Sequence, residues 1–333
     1  MQEYNPQELL EEFENLEEGK PRLMGIKRAI EEADRAKDQD HSFLFRYEYV
    51  QESTFGADHY DSILMFPELL TRFDAMEERG YKFAYMMLGA YEWVLQDAIY
   101  FYQVSAEAMD NYFKDYLKRA MQFGKSPHMY LLILMESMRH GNAHKIPEIM
   151  RMFREITYNG MTLYHLHESV KFELISGNIE IARKYAEFVF REGEKEPQAE
   201  IPGKTYGYFA EYHLNRGEYK EAAKFADKML PYITDGSSFF FYEYFTLAID
   251  IFRVTDNPRA YELWKKFNPN YADCKNPALR FFWGAVSYRL FKETDPELSR
   301  QYYETAKAIG KKFDKRNGNS FFSDYLNNDI IDD

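Results

Sequence analysis

Histidine pairs are the first place to look for chemistry in this chain of 333 residues. His140 and His144 have the spacing with which two ligands on one helix would hold a zinc ion. Gly141 and Asn142 lie between them and favour a turn, however, and no Cys, Asp or Glu completes a tetrahedral set nearby. We therefore expect no metal ion and no metal cofactor at this position.

Two further histidines and the single cysteine could also be reactive. His165 and His167 are two residues apart and so fall on different faces of a helix, which favours solvated or hydrogen-bonded side chains over a joint site. Cys274 has no histidine neighbour in the sequence that could activate its thiol. We expect an ordinary loop or packing cysteine.

Known catalytic motifs are missing from the sequence. It contains no glycine-rich phosphate loop, no Gly-x-Ser-x-Gly, no His-Glu-x-x-His and no Cys-x-x-Cys. The acidic pairs at 31–32, 77–78 and 332–333 lie in highly charged stretches and are typical of solvated faces. The prediction is a protein without catalysis or cofactors, and the alternative is a helical enzyme whose active site has no recognised motif.

The amino-acid composition limits which partners and which cellular compartment we expect. With 55 acidic and 42 basic residues the formal net charge is -13, which argues against nucleic acid or an anionic membrane as the main partner. One cysteine excludes an internal disulfide framework and suits a reducing compartment. The acidic N-terminus is unlike a signal peptide, and no run of 18 apolar residues exists. We expect a cytoplasmic protein.

Residues 206–230 give the clearest structural pattern. They read as two short helices separated by a turn at Asn215, Arg216 and Gly217, where glycine supplies the backbone freedom to end the first helix. The second helix has one apolar stripe at helical period, in which small side chains allow close packing of a neighbouring helix. The stripe consists of Tyr219, Ala222, Ala223, Ala226, Met229 and Leu230.

This pattern resembles the tetratricopeptide repeat (TPR), a helix-turn-helix unit of about 34 residues. The matching residues are Tyr206, Ala210, Gly217, Tyr219 and Ala222. Positions equivalent to Ala222 are Ile146, Ala182, Ala260 and Ser299, so that successive spacings are 36, 40, 38 and 39 residues. The resemblance implies an all-α fold, a right-handed α-solenoid of stacked helix-turn-helix repeats.

The resemblance covers residues 127–313, and we expect residues 127–333 to form a repeat array ending in a capping helix near 321–326. Residues 1–126 are expected to be a helical region of divergent repeats in the same continuous solenoid, giving about sixteen helices in all by the segments between breakers. Apolar residues alternate across 43–50 as in a strand, but flanking charges and the lack of a partner strand favour a helix.

The resemblance also implies that the first helix of each repeat lines a concave groove. Counting in that frame places cations and aromatic residues there, together with Glu211 and Asn215. The predicted binding residues are Arg139, Tyr164, His167, Lys171, Tyr242, Phe245, Arg253, Tyr288 and Lys292. Such a groove suits a peptide or protein with acidic and apolar side chains. Alternatively, aromatic residues such as Phe245 and Phe281 fill the core.

The predicted function is therefore a protein- or peptide-binding module, acting as an adaptor, sensor or neutralising partner. A peptide-responsive bacterial regulator is the alternative within the same resemblance, although residues 1–40 are too few and too acidic for a DNA-reading domain. As exposed groove residues, Arg253 and Lys292 are expected to add little to fold stability. Ala222, in contrast, should lie where two helices touch.

Overall fold

The computed structural model describes residues 4–56, 59–76, 81–157, 161–193, 201–233, 242–272 and 274–327. Within these ranges every regular element is a helix and no strand occurs, which confirms the all-α class. Short 3₁₀ turns occur at Ala143–Lys145 and Leu230–Tyr232. No helix in these ranges is both long and apolar enough to cross a membrane.

The α-helices of the described ranges are α1 (Pro6–Glu14), α2 (Lys20–Ala36), α3 (Gln39–Phe55), α4 (His59–Ala75), α5 (Ala84–Ile99), α6 (Ala106–Gln122), α7 (His128–Met138), α8 (Ile146–Thr157), α9 (Leu163–Ile175), α10 (Ile179–Gly193), α11 (Gly203–Leu214), α12 (Tyr219–Met229), α13 (Tyr242–Thr255), α14 (Asn257–Ala272), α15 (Pro277–Phe291), α16 (Pro296–Asn317) and α17 (Phe321–Asn327).

The chain divides into two compact units, Met1–Ile133 and Leu134–Asp333, and the division falls within α7. The sequence placed a boundary between residues 126 and 127, just before this helix. In the first unit each helix from α1 to α5 packs against the helix that follows it. The helix α3 contains residues 43–50, and its Phe43 and Phe45 are buried, so the helical interpretation of that stretch is confirmed.

In the second unit, α9, α11, α13 and α15 each pack against the helix that follows them. They also pack against one another in order, α9 on α11, α11 on α13, and α13 on α15. Glycine permits one of these contacts, because a Cβ atom on Gly207 of α11 would lie 2.4 Å from a ring carbon of Tyr244 in α13. One apolar core runs from Val170 to Phe291.

Four of the five positions aligned on Ala222 share one structural location. Ala182, Ala222, Ala260 and Ser299 each lie three residues after the first residue of α10, α12, α14 and α16, and all four are buried. Ile146, the fifth aligned position, is buried at the start of α8. The side chains chosen from the sequence as contact points between helices therefore lie in the core.

Two of the turns between successive helices have the same backbone structure. Gly177 and Gly217 have φ angles of 78° and 69°, in the left-handed region that favours glycine. In each turn the residue after the glycine donates a backbone hydrogen bond to a carbonyl five residues earlier, at Glu173 and His213 respectively. These bonds satisfy carbonyl groups at the ends of α9 and α11 and allow the next helix to begin at once.

Candidate functional site

A cavity of about 600 Å³ lies inside the second unit. Its described lining comes from α9, α11, α13, α15 and α17 and from the turns after α7, α9 and α11, and none of it comes from α8, α10, α12, α14 or α16. Six aromatic side chains line it: Tyr208, Tyr212, Tyr244, Phe282, Phe321 and Tyr325. Six charged side chains also line it: Arg139, Lys171, Arg216, Glu211, Glu243 and Asp250.

Arg139 holds three helices together at one side of the cavity. Its Nη1 atom lies 2.8 Å from Glu136 Oε1, at the end of α7. Its Nη2 atom lies 3.1 Å from Glu211 Oε1 in α11 and 3.0 Å from Glu243 Oε1 in α13. Only 10% of the Arg139 side chain is exposed. The guanidinium group is thus already engaged by three carboxylates of the chain itself.

Lys171 is similarly paired. Its Nζ atom lies 2.7 Å from Glu136 Oε2 and 3.0 Å from Glu168 Oε2, and it lies 5.2 Å from the ring centre of Tyr208. Burial disfavours the charged form of this amine, but the two carboxylates outweigh that effect and raise the pKa of Lys171 above its usual value. The side chain is therefore a buried ammonium with partners from α7 and α9.

His167 connects α9 to α11. Its Nδ1 atom lies 2.7 Å from Thr205 Oγ1, and its Nε2 atom lies 3.1 Å from the hydroxyl of Tyr208, which in turn donates to Glu168 at 3.0 Å. Burial lowers the pKa of His167 to about 3, so the ring is neutral at pH 7. The prediction of a hydrogen-bonded histidine is confirmed, and this ring is a buried structural group.

Arg253 lies in a buried ion cluster and not on a groove surface. Asp250 in α13 accepts from Arg253 Nε at 3.0 Å and from Arg289 Nη1 in α15 at 2.9 Å. The side chains of Asp250, Arg253 and Arg289 are 3%, 8% and 1% exposed. Arg289 also donates to the backbone carbonyl of Tyr325. The expectation that Arg253 is an exposed cation is therefore wrong, and the small effect on stability, which followed from exposure, is no longer expected.

Aromatic residues of the predicted groove also lie elsewhere. Phe245 is 1% exposed and stacks on Phe267 with ring centres 3.7 Å apart, and Phe281 is 0% exposed. The structure thus shows the core packing that the sequence left as an alternative for both. Tyr164, near the start of α9, is 39% exposed.

Three predicted residues remain. Tyr288 in α15 is half-buried and contacts the ring of Tyr303. Lys292 is exposed at the end of α15. Tyr242 begins α13, and its side chain lies outside the described part of the chain. Of the nine predicted residues, Arg139 and Lys171 belong to the lining of the cavity, as do Glu211 and Asn215 from the same count.

The sequence missed most of the lining. In α13 the lining residues include Glu243, Leu247 and Asp250, at i, i+4 and i+7, whereas the predicted face contained Phe245. An α-helix turns by about 100° per residue, so a frame displaced by one or two residues selects another face. The i, i+4, i+7 spacing of these three residues was the available signal.

The turn after α7 meets the start of α17 at the rim of the cavity. Asn319 Nδ2 donates to the carbonyl oxygen of His140 at 3.1 Å, and the His140 ring lies 5.1 Å from that of Phe321 and 5.6 Å from that of Phe282. Burial lowers the pKa of His140 to about 3. The predicted last helix therefore forms, and it contributes Phe321 and Tyr325 to the cavity.

His140 and Cys274, the other groups considered as reactive, lie in environments that do not activate them. His140 lies in a turn, as Gly141 and Asn142 indicated, and no group of three potential metal ligands occurs within the described ranges. Burial raises the pKa of the Cys274 thiol to about 11, which keeps it protonated at neutral pH.

No family model matches this sequence, and no curated protein matches it significantly.

Proposed function

We propose that the protein is a binding module of the TPR-like class, in which the cavity of the second unit takes a short peptide segment. The observation that carries this proposal is the composition of the lining, which combines six aromatic rings with six charged side chains in about 600 Å³. Cavities of this size that combine aromatic side chains with polar groups are typical of ligand-binding sites.

The arrangement of helices supports the repeat interpretation. Helices that come first in each pair line the cavity, while the helices that follow them contribute nothing to its described lining. The aligned small residues occupy matching buried positions in α10, α12, α14 and α16. A right-handed solenoid of helix pairs would place first helices along an inner face in this way.

Three groups that could have been reactive give no support to catalysis. His140 and His167 are neutral, buried and held by neighbouring residues, and the Cys274 thiol is protonated. None of the three matches the exposed, activated nucleophile or base that acid-base or covalent catalysis needs. The proposed role is that of an adaptor, sensor or neutralising partner whose activity depends on the bound segment.

The test is to block the cavity and measure peptide binding. Ala143, at the rim, is half-buried and lines the cavity, so Ala143→Trp should fill part of it. Affinity selection from a pool of synthetic pentapeptides, read by mass spectrometry, should retain specific peptides on the wild type and lose them on this variant.

Ala308→Trp provides the matched control, because Ala308 is exposed on α16 in the same unit and outside the cavity lining. This control should retain the same peptides as the wild type. Equal retention by the Ala143→Trp protein would contradict the proposed site, and a pool from which the wild type retains nothing would contradict the function.

A further inference from the structure

Two carboxylates that line the cavity share one cationic atom. Glu211 Oε1 and Glu243 Oε1 lie 3.1 and 3.0 Å from the same Nη2 atom of Arg139. Their side chains are 38% and 31% exposed, and both belong to the lining, so each has surface that faces the cavity. Such a pair can accept further hydrogen bonds, because each carboxylate has about four acceptor sites.

The network around this pair has more acids than bases. It consists of Glu136, Glu168, Glu211 and Glu243 against Arg139 and Lys171, which is four carboxylates for two fixed cations among the described residues. The nearby His167 is neutral at pH 7. The network therefore has a formal charge of -2 when all four carboxylates are ionised.

The pKa of Glu211 is raised above its usual value. Burial by the surrounding protein is the largest cause, and the Glu243 carboxylate acts in the same direction, whereas the Arg139 guanidinium group acts against both. A positive charge placed beside the two carboxylates would relieve their repulsion. The surface beside Glu211 and Glu243 therefore favours a cation over a second anion, within a lining whose six charged residues are three cations and three anions.

Aromatic rings add to this preference. Tyr208, Tyr212 and Tyr244 line the cavity together with Glu211 and Glu243. The faces of tyrosine rings attract ammonium and guanidinium groups, and the attraction increases where water is excluded. The chain already shows this contact, since the Lys171 amine lies 5.2 Å from the ring centre of Tyr208.

We propose that the cavity recognises a basic side chain of a short peptide, with Glu211 and Glu243 accepting hydrogen bonds from its guanidinium or ammonium group and the tyrosine rings contacting its apolar stem. This inference rests on the proposed function. It replaces the expectation of an acidic ligand, because Arg139 and Lys171 are already paired with carboxylates that an acidic ligand would have to displace.

The test compares peptides that differ in one charge. Three pools of N-acetylated, C-amidated pentapeptides carry arginine, citrulline or glutamate at the central position and uncharged residues elsewhere. Citrulline keeps the shape of arginine without its charge. Affinity selection followed by calorimetric titration should show that the best arginine peptide binds wild type about tenfold or more tightly than its citrulline counterpart, as expected for charged hydrogen bonds.

The variant Glu211→Gln/Glu243→Gln keeps the shape of both side chains and removes both charges. Its preference for arginine over citrulline should disappear, and its affinity for the glutamate pool should rise, because Arg139 then keeps only Glu136 as a charged partner among these residues. The control is Glu180→Gln/Glu297→Gln, since both side chains are exposed, at 75% and 64%, and pair only locally. This control should discriminate like the wild type.

The outcomes separate the two proposals. Equal binding of arginine and citrulline peptides by wild type, blocked by Ala143→Trp, would overturn the charge inference and leave the proposed function standing. If spermidine alone binds as tightly as the best arginine peptide and loses affinity in the double variant, the carboxylate subsite stands and the peptide function fails. If the double variant does not fold, Glu243→Gln alone should reduce discrimination, and an unchanged ratio in that protein would also overturn the inference.

Discussion

The ion cluster at Asp250 gives the sharpest stability prediction. Asp250 is 3% exposed and bridges Arg253 of its own helix α13 and Arg289 of α15, at 3.0 and 2.9 Å. Asp250→Asn keeps the shape of the side chain and removes its charge. Two guanidinium groups, 8% and 1% exposed, would then lose the carboxylate between them.

Breaking a buried pair in this way costs about 3–5 kcal/mol, because a buried charge is left without compensation. For a unit of this size 1 kcal/mol corresponds to roughly 2–4 °C in melting temperature, so the expected decrease is about 6–20 °C for the second unit. Differential scanning calorimetry and urea unfolding followed by circular dichroism would measure both quantities. Two separate transitions must be allowed for, since the chain has two compact units.

Asp227→Asn is the matched control. Asp227 pairs with Arg259 at 2.6 Å, but the side chains of Arg259 and Asp227 are 35% and 51% exposed. An exposed pair contributes about 1 kcal/mol or less, so this variant should unfold almost like wild type. If Asp250→Asn lost no more stability than Asp227→Asn, the cluster would be well solvated and the reasoning from burial would be refuted.

Two further predictions concern the core and the response to pH. Ala222→Leu should lower the free energy of unfolding by about 1–3 kcal/mol through overpacking, because Ala222 is 0% exposed. The control Ala308→Leu, on the exposed face of α16, should change the urea midpoint little. Equal midpoints for the two variants would place Ala222 outside the core. Burial lowers the pKa of His140 and His167 to about 3, so below about pH 6.5 the unfolded chain binds protons that the native state does not bind. The stability that comes from these two neutral rings is therefore complete above about pH 6.5 and decreases as the pH drops from about 6.5 to 3. Urea midpoints at pH 7.5 and 5.0 should therefore differ less in His167→Gln than in wild type, and an unchanged difference would show that His167 takes up its proton without cost.

The helical class and the buried stripes could be predicted from the sequence because they depend on local period. Ala222 and the residues aligned with it lie in the core since an apolar stripe at helical spacing has to be buried against another helix. Gly217 ends α11 because its φ of 69° suits a residue without a side chain. Both are properties of short stretches of chain, which a single sequence displays in full.

The face that α13 turns to the cavity could not be predicted from its apolar pattern. Every face of this helix has apolar residues, so the pattern does not distinguish Phe245, which is in the core, from Leu247, which lines the cavity. A displacement of two residues rotates the selected face by about 200°, far enough to exchange core and lining. The contacts of α13 with α11, α12, α14 and α15 settle the orientation.

The charge of the site was the hardest property to predict, because it depends on partners that are distant in the sequence. Arg139 bonds to Glu211 and Glu243, which follow it by 72 and 104 residues. A count of cations along first helices treats each of them as available to a ligand. In a folded chain a buried cation is usually paired with carboxylates, because an unpaired charge inside a protein has a high desolvation free energy. A ligand therefore interacts with the net charge of the paired groups. Around Arg139 and Lys171 this net charge is negative, because four carboxylates pair with two cations.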